Sequence, residues 1–353
     1  MKMGTTFATA AVLSAIAVAG IGGWSVAAAE TAPKTILSLE WPTGYGPPES
    51  IVMLSRFVSE SSGKINLSAQ ETAGDVYNIK EMSQNKNRWD RTIFGTGANI
   101  FYLAENGVAP FFDKPIKVEW KHLFADAVWM LNNFITLDPS IKSPADFKGK
   151  RIALGQRTGS EWAAKPTIIL REAYGITDKN ATISYLDAAS AVSALLDGRV
   201  DVAIAGIITN SELNPVLPHR NLQEASASGR RIYYVEIGAD VVARLRNKTG
   251  APYISIPVPP NSLPQQGDRT LSLVGNQGFH SAHPSFPEEH AYEVTKHVIQ
   301  AAPKVAKFGG LGTVFRDPRI LTAGLTEQNT HPGAIRAFKE AGLWPPKPAA
   351  YER

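Results

Sequence analysis

Apolar positions along this chain alternate between two rhythms. Residues 35–40 form a short aliphatic run, and 49–62 place Ile51, Leu54 and Val58 on one helical face ahead of Gly63. Residues 65–71 predict a second strand. Asp75 stands where it can cap a helix running toward residue 85, and 91–94 predict a third strand feeding into a helical segment. Successive strand–loop–helix units imply parallel strands joined by crossover helices. Their loops leave the C-terminal ends of the strands, where open α/β sheets bind ligands.

A longer apolar stretch at 124–137, holding Trp129, Asn132 and Asn133, predicts the passage into a second lobe. Ser143, Pro144, Ala145 and Asp146 predict a short capped helix, with Asp146 placed as in a capping box. A turn at Gly149, a strand at 150–154 and a polar glycine loop at 155–160 follow. That loop feeds a helix that must accommodate Pro166. A strand ending in such a loop aims free backbone N–H groups forward, which suits an anion or a polar ligand. It is not a phosphate-binding Walker loop, because no Lys-Ser/Thr follows its second glycine.

Beyond it, 182–186 predict a strand, Asp187 caps a helix at 188–196, and Asp197-Gly198 ends that helix. A buried strand at 200–205 runs into a loop at 206–210. A strand at 233–237, a helix at 240–248 and a stop at Gly250 complete the second lobe. A proline-rich connection (Pro252, Pro257, Pro259, Pro260, Pro264) leads to a returning strand at 271–274. A helix at 287–302 carries Glu288 and Glu289 in its first turn, where acidic groups favour the dipole.

Composition narrows the function classes. With 353 residues, 44% hydrophobic and 19% charged, the chain can build two lobes around sizeable cores. Its net charge of +4 is spread without a basic run, which argues against nucleic acid. The absence of cysteine excludes disulfides, thiol catalysis and Cys-ligated zinc. Lys2, the apolar run at 7–18 and Ala27-Ala28-Ala29 read as a signal peptide over 1–29, cleaved near Ala29, so a periplasmic location is expected. His280, His283 and His290 beside Glu288 and Glu289 do not have zinc spacing, so no metal is expected. Neither a Gly-x-Ser-x-Gly elbow nor a Ser-His-Asp order is evident, and the expectation is a non-enzyme without cofactor. Arg88 and Arg91 read as surface charges, and His331 as the end of a loop before the last helix.

Three stretches carry a resemblance. They are Asp146-Phe147-Lys148-Gly149-Lys150-Arg151, Leu196-Asp197-Gly198-Arg199-Val200-Asp201-Val202-Ala203, and the helix opened by His331-Pro332-Gly333-Ala334. In order and spacing, 143–343 resembles the TAXI-type solute receptors of TRAP transporters. The N-terminal lobe diverges: around Thr43, Gly44 and Tyr45 it keeps the family's residue types but adds prolines. The resemblance implies an α/β, two-lobed periplasmic binding protein fold (type II) with two hinge crossings. Lobe 1 would comprise 30–127 plus 274–353, and lobe 2 would comprise 128–273. It further implies a monomer that closes on a small organic anion, of the dicarboxylate or acidic amino acid class, and delivers it to TRAP membrane subunits. An ABC permease, a sensor, or a periplasmic enzyme on the same fold are the alternatives.

The candidate ligand contacts come from loops at strand ends. Thr43, Gly44 and Tyr45 would form one wall, with turn architecture as the other reading, and Thr96, Gly97 and Asn99 are similar. Arg157 either grips a carboxylate in two-pronged fashion or is a solvated loop residue. Thr158, Gly159 and Ser160 offer donors, while Gly206 and Asn210 would complete the site from lobe 2. Trp162 either stacks on the ligand or staples its helix.

Overall fold

A computed structural model describes residues 36–43, 49–156 and 161–348. The expected signal peptide lies outside these residues. The chain begins with β1 (Leu37–Pro42), α1 (Glu49–Ser62), β2 (Ile65–Gln70), α2 (Asp75–Gln84), β3 (Ile93–Gly97), α3 (Ala98–Asn106) and β4 (Lys121–Ala125). It continues through β5 (Trp129–Thr136), β6 (Arg151–Leu154), α4 (Glu161–Tyr174), β7 (Thr182–Tyr185), α5 (Ala188–Leu196), β8 (Val202–Thr209), β9 (Leu217–Pro218) and α6 (Arg220–Ala227). Then come β10 (Tyr233–Val235), α7 (Ala239–Thr249), β11 (Ile254–Val258), β12 (Leu271–Gly275), β13 (Gly278–Ala282), α8 (Glu288–Ala306) and α9 (Pro332–Glu340).

In the first lobe β1 and β2 pair in parallel, β13 runs antiparallel between β3 and β4, and a bridge from Glu40 to Thr92 joins the two sets. The second lobe is one sheet in the order β11-β12-β5-β8-β6-β7, with β10 on β5 and β9 on β8. The chain changes sheets after β4 and again after β12. The architecture is therefore the expected α/β fold of two lobes with two crossings. Helices cover the sheets with their apolar stripes. Ile51, Leu54 and Val58 of α1 are buried, as are Ala291, Val294, Val298 and Val305 of α8, which packs on it. Burying a side chain of this size contributes on the order of 1.5–3 kcal/mol.

Several local expectations hold in detail. Asp187 caps α5 by accepting from the Ser190 N–H at 2.9 Å. The Ser143 hydroxyl accepts from the Ala145 N–H at 3.2 Å, while Asp146 accepts from the N–H groups of Lys142 and Ser143 at 2.9 Å. These bonds hold the Asp146 carboxyl below its usual range. Gly149 turns the chain into β6 with φ of +74°. His331 caps α9, with Nδ1 accepting from the Gly333 N–H at 3.3 Å and Nε2 donating to the Phe286 carbonyl at 2.9 Å.

Others are corrected. The run expected at 35–40 extends as β1 through Trp41 and Pro42, because Trp41 is fully buried and donates its indole N–H to His280 Nδ1 at 3.0 Å. Residues 95–97 belong to β3, and 206–209 belong to β8, which is paired to β5 along its whole length. A strand buried on both faces shows no alternation, so Gly206 and Thr209 imitate a loop in sequence. The proline-rich connection contains β11. Pro257 is tolerated because β11 is an edge strand, where one face of the ladder needs no donor. Arg88 is not a free surface charge: it lies 2.6 Å from Glu40 and 3.3 Å from Glu81, tying β1 to α2. Arg91 is half-exposed, 3.7 Å from Glu40.

Candidate functional site

Between the lobes lies a cleft of about 640 Å³. Lobe 1 contributes Thr43, Asp75, Thr96 and Gly97, and the crossings contribute Asp126, Val128 and Asn276. Lobe 2 contributes Gly155, Trp162, Glu161 and His219. The lobes also touch directly: the Tyr102 hydroxyl donates to the Thr249 carbonyl, and Arg171 donates to the Ala109 carbonyl at 2.9 Å.

The cleft is organised around Glu161, the first residue of α4. Its Oε1 accepts from the Asn276 amide at 2.8 Å, and its Oε2 lies 3.5 Å from Lys165 Nζ one helical turn on. Lys165 is fully buried and also donates to the Met130 carbonyl at 3.1 Å. Burial pulls the Lys165 amine below its ordinary range, and the neighbouring Glu161 carboxylate opposes that pull. The Glu161 carboxylate rests directly on Gly97: a Cβ there would coincide with Oε1. A lobe 2 carboxylate thus fills the space that a side chain on β3 would occupy.

Asp75 is not a helix cap. Gly74, with φ of 118° and no side chain, occupies the cap position, and Asp75 starts α2 facing the cleft. Its carboxyl is pushed well above the usual range, first by burial and then by the charge of Glu161. A hydrogen bond from the Glu161 backbone N–H works in the other direction. That bond links the lobes across the cleft. Asp126, on the first crossing, accepts from the Val128 N–H at 2.9 Å and lies 3.7 Å from His280 Nε2. Because Nδ1 of His280 accepts from Trp41, its ring proton sits on Nε2 and faces Asp126.

Trp162 forms the aromatic wall of the lobe 2 side. Its ring meets His219 edge-on at 5.1 Å, and a Cβ on Gly206 would lie 2.5 Å from Cη2. Two buried polar atoms in the lining, Thr96 Oγ1 and Asn276 Oδ1, have no hydrogen-bond partner among the described residues. Buried polar groups are nearly always paired, so such atoms mark where a ligand or water completes the site.

The expected contacts separate accordingly. Thr43, Thr96 and Gly97 line the cleft together. The Thr43 hydroxyl is engaged at 3.3 Å with the Gln70 carbonyl, while Thr96 keeps its hydroxyl free. Asn99 is fully buried in the first turn of α3 and does not line the cleft. Gly206 lies beneath Trp162 and acts by letting the indole close on the strand. Asn210 is a structural tie, donating to the carbonyls of Asn214 at 2.6 Å and Val314 at 3.1 Å. Gly44, Tyr45, Arg157, Thr158, Gly159 and Ser160 lie outside the described residues. Asp75, Asp126, Glu161 and Asn276 are missed by sequence reasoning. Asp75 reads as a cap in sequence, and nothing local marks the other three as converging.

Among the described residues, no group of three or more His, Asp or Glu side chains is placed to hold a metal ion. His283 is occupied by stacking on Trp89, with ring centroids 3.4 Å apart. No helix among them is long and apolar enough to cross a membrane.

Comparison with solved structures finds chains of similar outline at low identity. The alkanesulfonate-binding protein SsuA from Xanthomonas axonopodis pv. citri, bound to MOPS, is 14% identical. The match covers 87% of this chain and 94% of that one with a TM-score of 0.45. MatC from Rhodopseudomonas palustris with bound malate is 13% identical, covering 89% and 98% with a TM-score of 0.46. The periplasmic binding protein BugD is 14% identical, covering 88% and 99% with a TM-score of 0.45. Likeness at this level assigns neither ligand nor partner. The family comparison is more direct, since one profile matches residues 50–342 and so spans both lobes and both crossings. On that match, the chain belongs to the NMT1-like family.

Proposed function

We propose that this protein is an exported, periplasmic solute-binding protein that captures a small polar solute between its lobes and releases it unchanged to a membrane permease. One observation carries the reading. The cleft is walled by both lobes and by both crossings, and it holds buried polar atoms that lack partners within the described chain. A site assembled from two lobes is complete only when they close, so binding and closure are coupled. The names of the solved proteins of similar outline, which bind an alkanesulfonate analogue or malate, accord with this reading without naming the solute here.

For the membrane partner, an ABC-type permease is taken ahead of a TRAP-type one. The family found for the chain is the NMT1-like family, whereas the TRAP reading rests on the sequence resemblance alone. The small organic anion that the resemblance implies likewise rests on that resemblance. A division into lobe 1 (30–127 plus 274–353) and lobe 2 (128–273) is proposed with the hinge at the two crossings.

The test is native mass spectrometry of protein purified without refolding. A retained small molecule, released by denaturation and rebound with its mass unchanged, is the expected result. Conversion of that molecule to a product during incubation would overturn the binding role in favour of an enzyme. Permease genes adjacent to this one distinguish ABC from TRAP coupling.

A further inference from the structure

Among the described residues, the charges that face the cleft are mostly negative. Glu161 is compensated within the protein, since one oxygen meets Lys165 and the other the Asn276 amide. Asp75 and Asp126 are less so: among the described residues no Lys or Arg lies within ion-pair distance of either. Asp75 takes a hydrogen bond from the Glu161 backbone N–H and feels the more distant charge of Lys165, and Asp126 accepts from the Val128 N–H at 2.9 Å and faces His280 Nε2 at 3.7 Å. Of the cations nearby among the described residues, Lys165 is buried behind Glu161, and Arg220 is exposed at the rim beside Glu224 at 3.5 Å. Asp187 also lines the cleft, but its carboxylate is engaged by the N–H and hydroxyl of Ser190.

The unpartnered polar atoms point the same way. The Asn276 amide has a determined orientation because its Nδ2 donates to the Glu161 carboxylate and, at 3.2 Å, to the Gln277 carbonyl. The atom left without a partner is therefore Oδ1, an acceptor on a side chain only 5% exposed. Thr96, 6% exposed, adds a hydroxyl that can accept. Two acidic side chains and an amide, all on residues that line one cavity, suit a partner that donates several hydrogen bonds and carries positive charge. A metal ion is a poor match, because among the described residues no three His, Asp or Glu side chains are placed to hold one. A cationic nitrogen on a small organic body suits the remaining surface, since the indole of Trp162 offers an aromatic face.

We infer that the cleft takes its solute through a protonated amine or amidine received by Asp75, Asp126 and Asn276, and discriminates against purely anionic dicarboxylates. This rests on the solute-binding reading and specifies the chemical class of the solute. An N–H-bearing cation satisfies Asn276 Oδ1, which a quaternary ammonium cannot do.

The test combines identification of the retained solute with a thermal-shift and calorimetric panel of agmatine, putrescine, choline, malate, glutarate and calcium chloride. Agmatine or putrescine should raise the melting temperature and bind stoichiometrically, and choline should not. Asp75→Asn and Asp126→Asn should each weaken that binding at least about tenfold while keeping the wild-type circular dichroism spectrum. If one variant fails to fold, the other decides. Binding of malate or glutarate in place of the amines, a retained solute without a basic nitrogen, or a response to calcium alone would overturn the inference and leave a solute-binding cleft standing. No retained molecule and no shift with any probe would overturn both.

Discussion

The backbone N–H of Gly155 donates to the carbonyl of Trp162 at 3.2 Å, joining the end of β6 to the first turn of α4. That carbonyl is available because of Pro166. In a regular helix residue 166 would donate to it, and proline has no N–H to give. A residue that weakens a helix elsewhere thus supplies the acceptor that anchors Trp162 and, one residue before it, Glu161. The contact leaves no room at Gly155: a Cβ would overlap Trp162 Cβ and lie 2.7 Å from its carbonyl carbon.

Gly155→Ala should therefore lower stability by about 1–3 kcal/mol, the usual range for overpacking a tight contact. It should also weaken solute binding, because the start of α4 must shift. Urea denaturation and calorimetric titration check the two effects. Unchanged binding in a destabilised variant would show that the position of α4 does not govern the cleft.

Gly97→Ala should act through the side chains of the cleft. Its φ of −84° suits alanine, but the added methyl would lie 1.4 Å from Glu161 Oε1 and 2.6 Å from both Glu161 Cδ and Asn276 Nδ2, so both side chains must move. Melting temperature should fall, because the displaced Glu161 loses its bond to Asn276 and shifts against the buried Lys165. Small-angle scattering should report a more open particle, and solute affinity should fall.

Lys165 and Glu161 form a pair whose lysine is completely buried. Lys165→Met removes the cation and leaves Glu161 beside Asp75 uncompensated, a loss of about 3–5 kcal/mol by the usual cost of orphaning a buried charge. The double variant with Glu161→Gln should recover part of that loss. A double-mutant cycle on chemical denaturation measures the coupling, and strictly additive losses would show that the two side chains do not act as a pair.

Acid should destabilise the fold through its buried histidines. His122 bonds Ser281 at 2.8 Å and stacks on Phe279, and burial lowers its pKa from 6.5 to about 3. The folded state therefore holds the ring neutral where the unfolded chain would protonate it. The corresponding stability is fully present above pH 6.5 and is lost progressively as pH falls toward about 3. Burial shifts His219, His283, His297 and His331 in the same direction. Urea midpoints at pH 7, 5.5 and 4.5 should fall in that order (pH values set roughly by this titration range). His122→Gln, which cannot titrate, should show a shallower decline.

Much of the fold was legible along the chain, and the reason is local. The helix at Glu49–Ser62, the Asp187 cap of α5, the capping box at Ser143 and the turn at Gly149 depend on residues within a few positions of one another. The opposite held where burial erased the pattern. The final residues of β8 lie inside the sheet, and β11 was hidden behind its prolines.

By itself, the sequence determined the α/β class, the alternation of strands and helices and the passage of the chain through two lobes. Hydrophobic period and capping chemistry are encoded next to the residues they control. Of the contacts expected at strand ends, Thr43, Thr96 and Gly97 line the cleft. Only the tertiary structure decided the character of that cleft. Glu161 meets Gly97 and Asn276 across 64 and 115 positions of the chain, and Asp75 accepts from the Glu161 backbone across 86. Whether a carboxylate is compensated, or an amide oxygen left without a donor, depends on neighbours that sequence spacing does not supply. The glycine loop that marks the lobe 2 wall in sequence leads to a helix whose first residue, Glu161, latches the two lobes together.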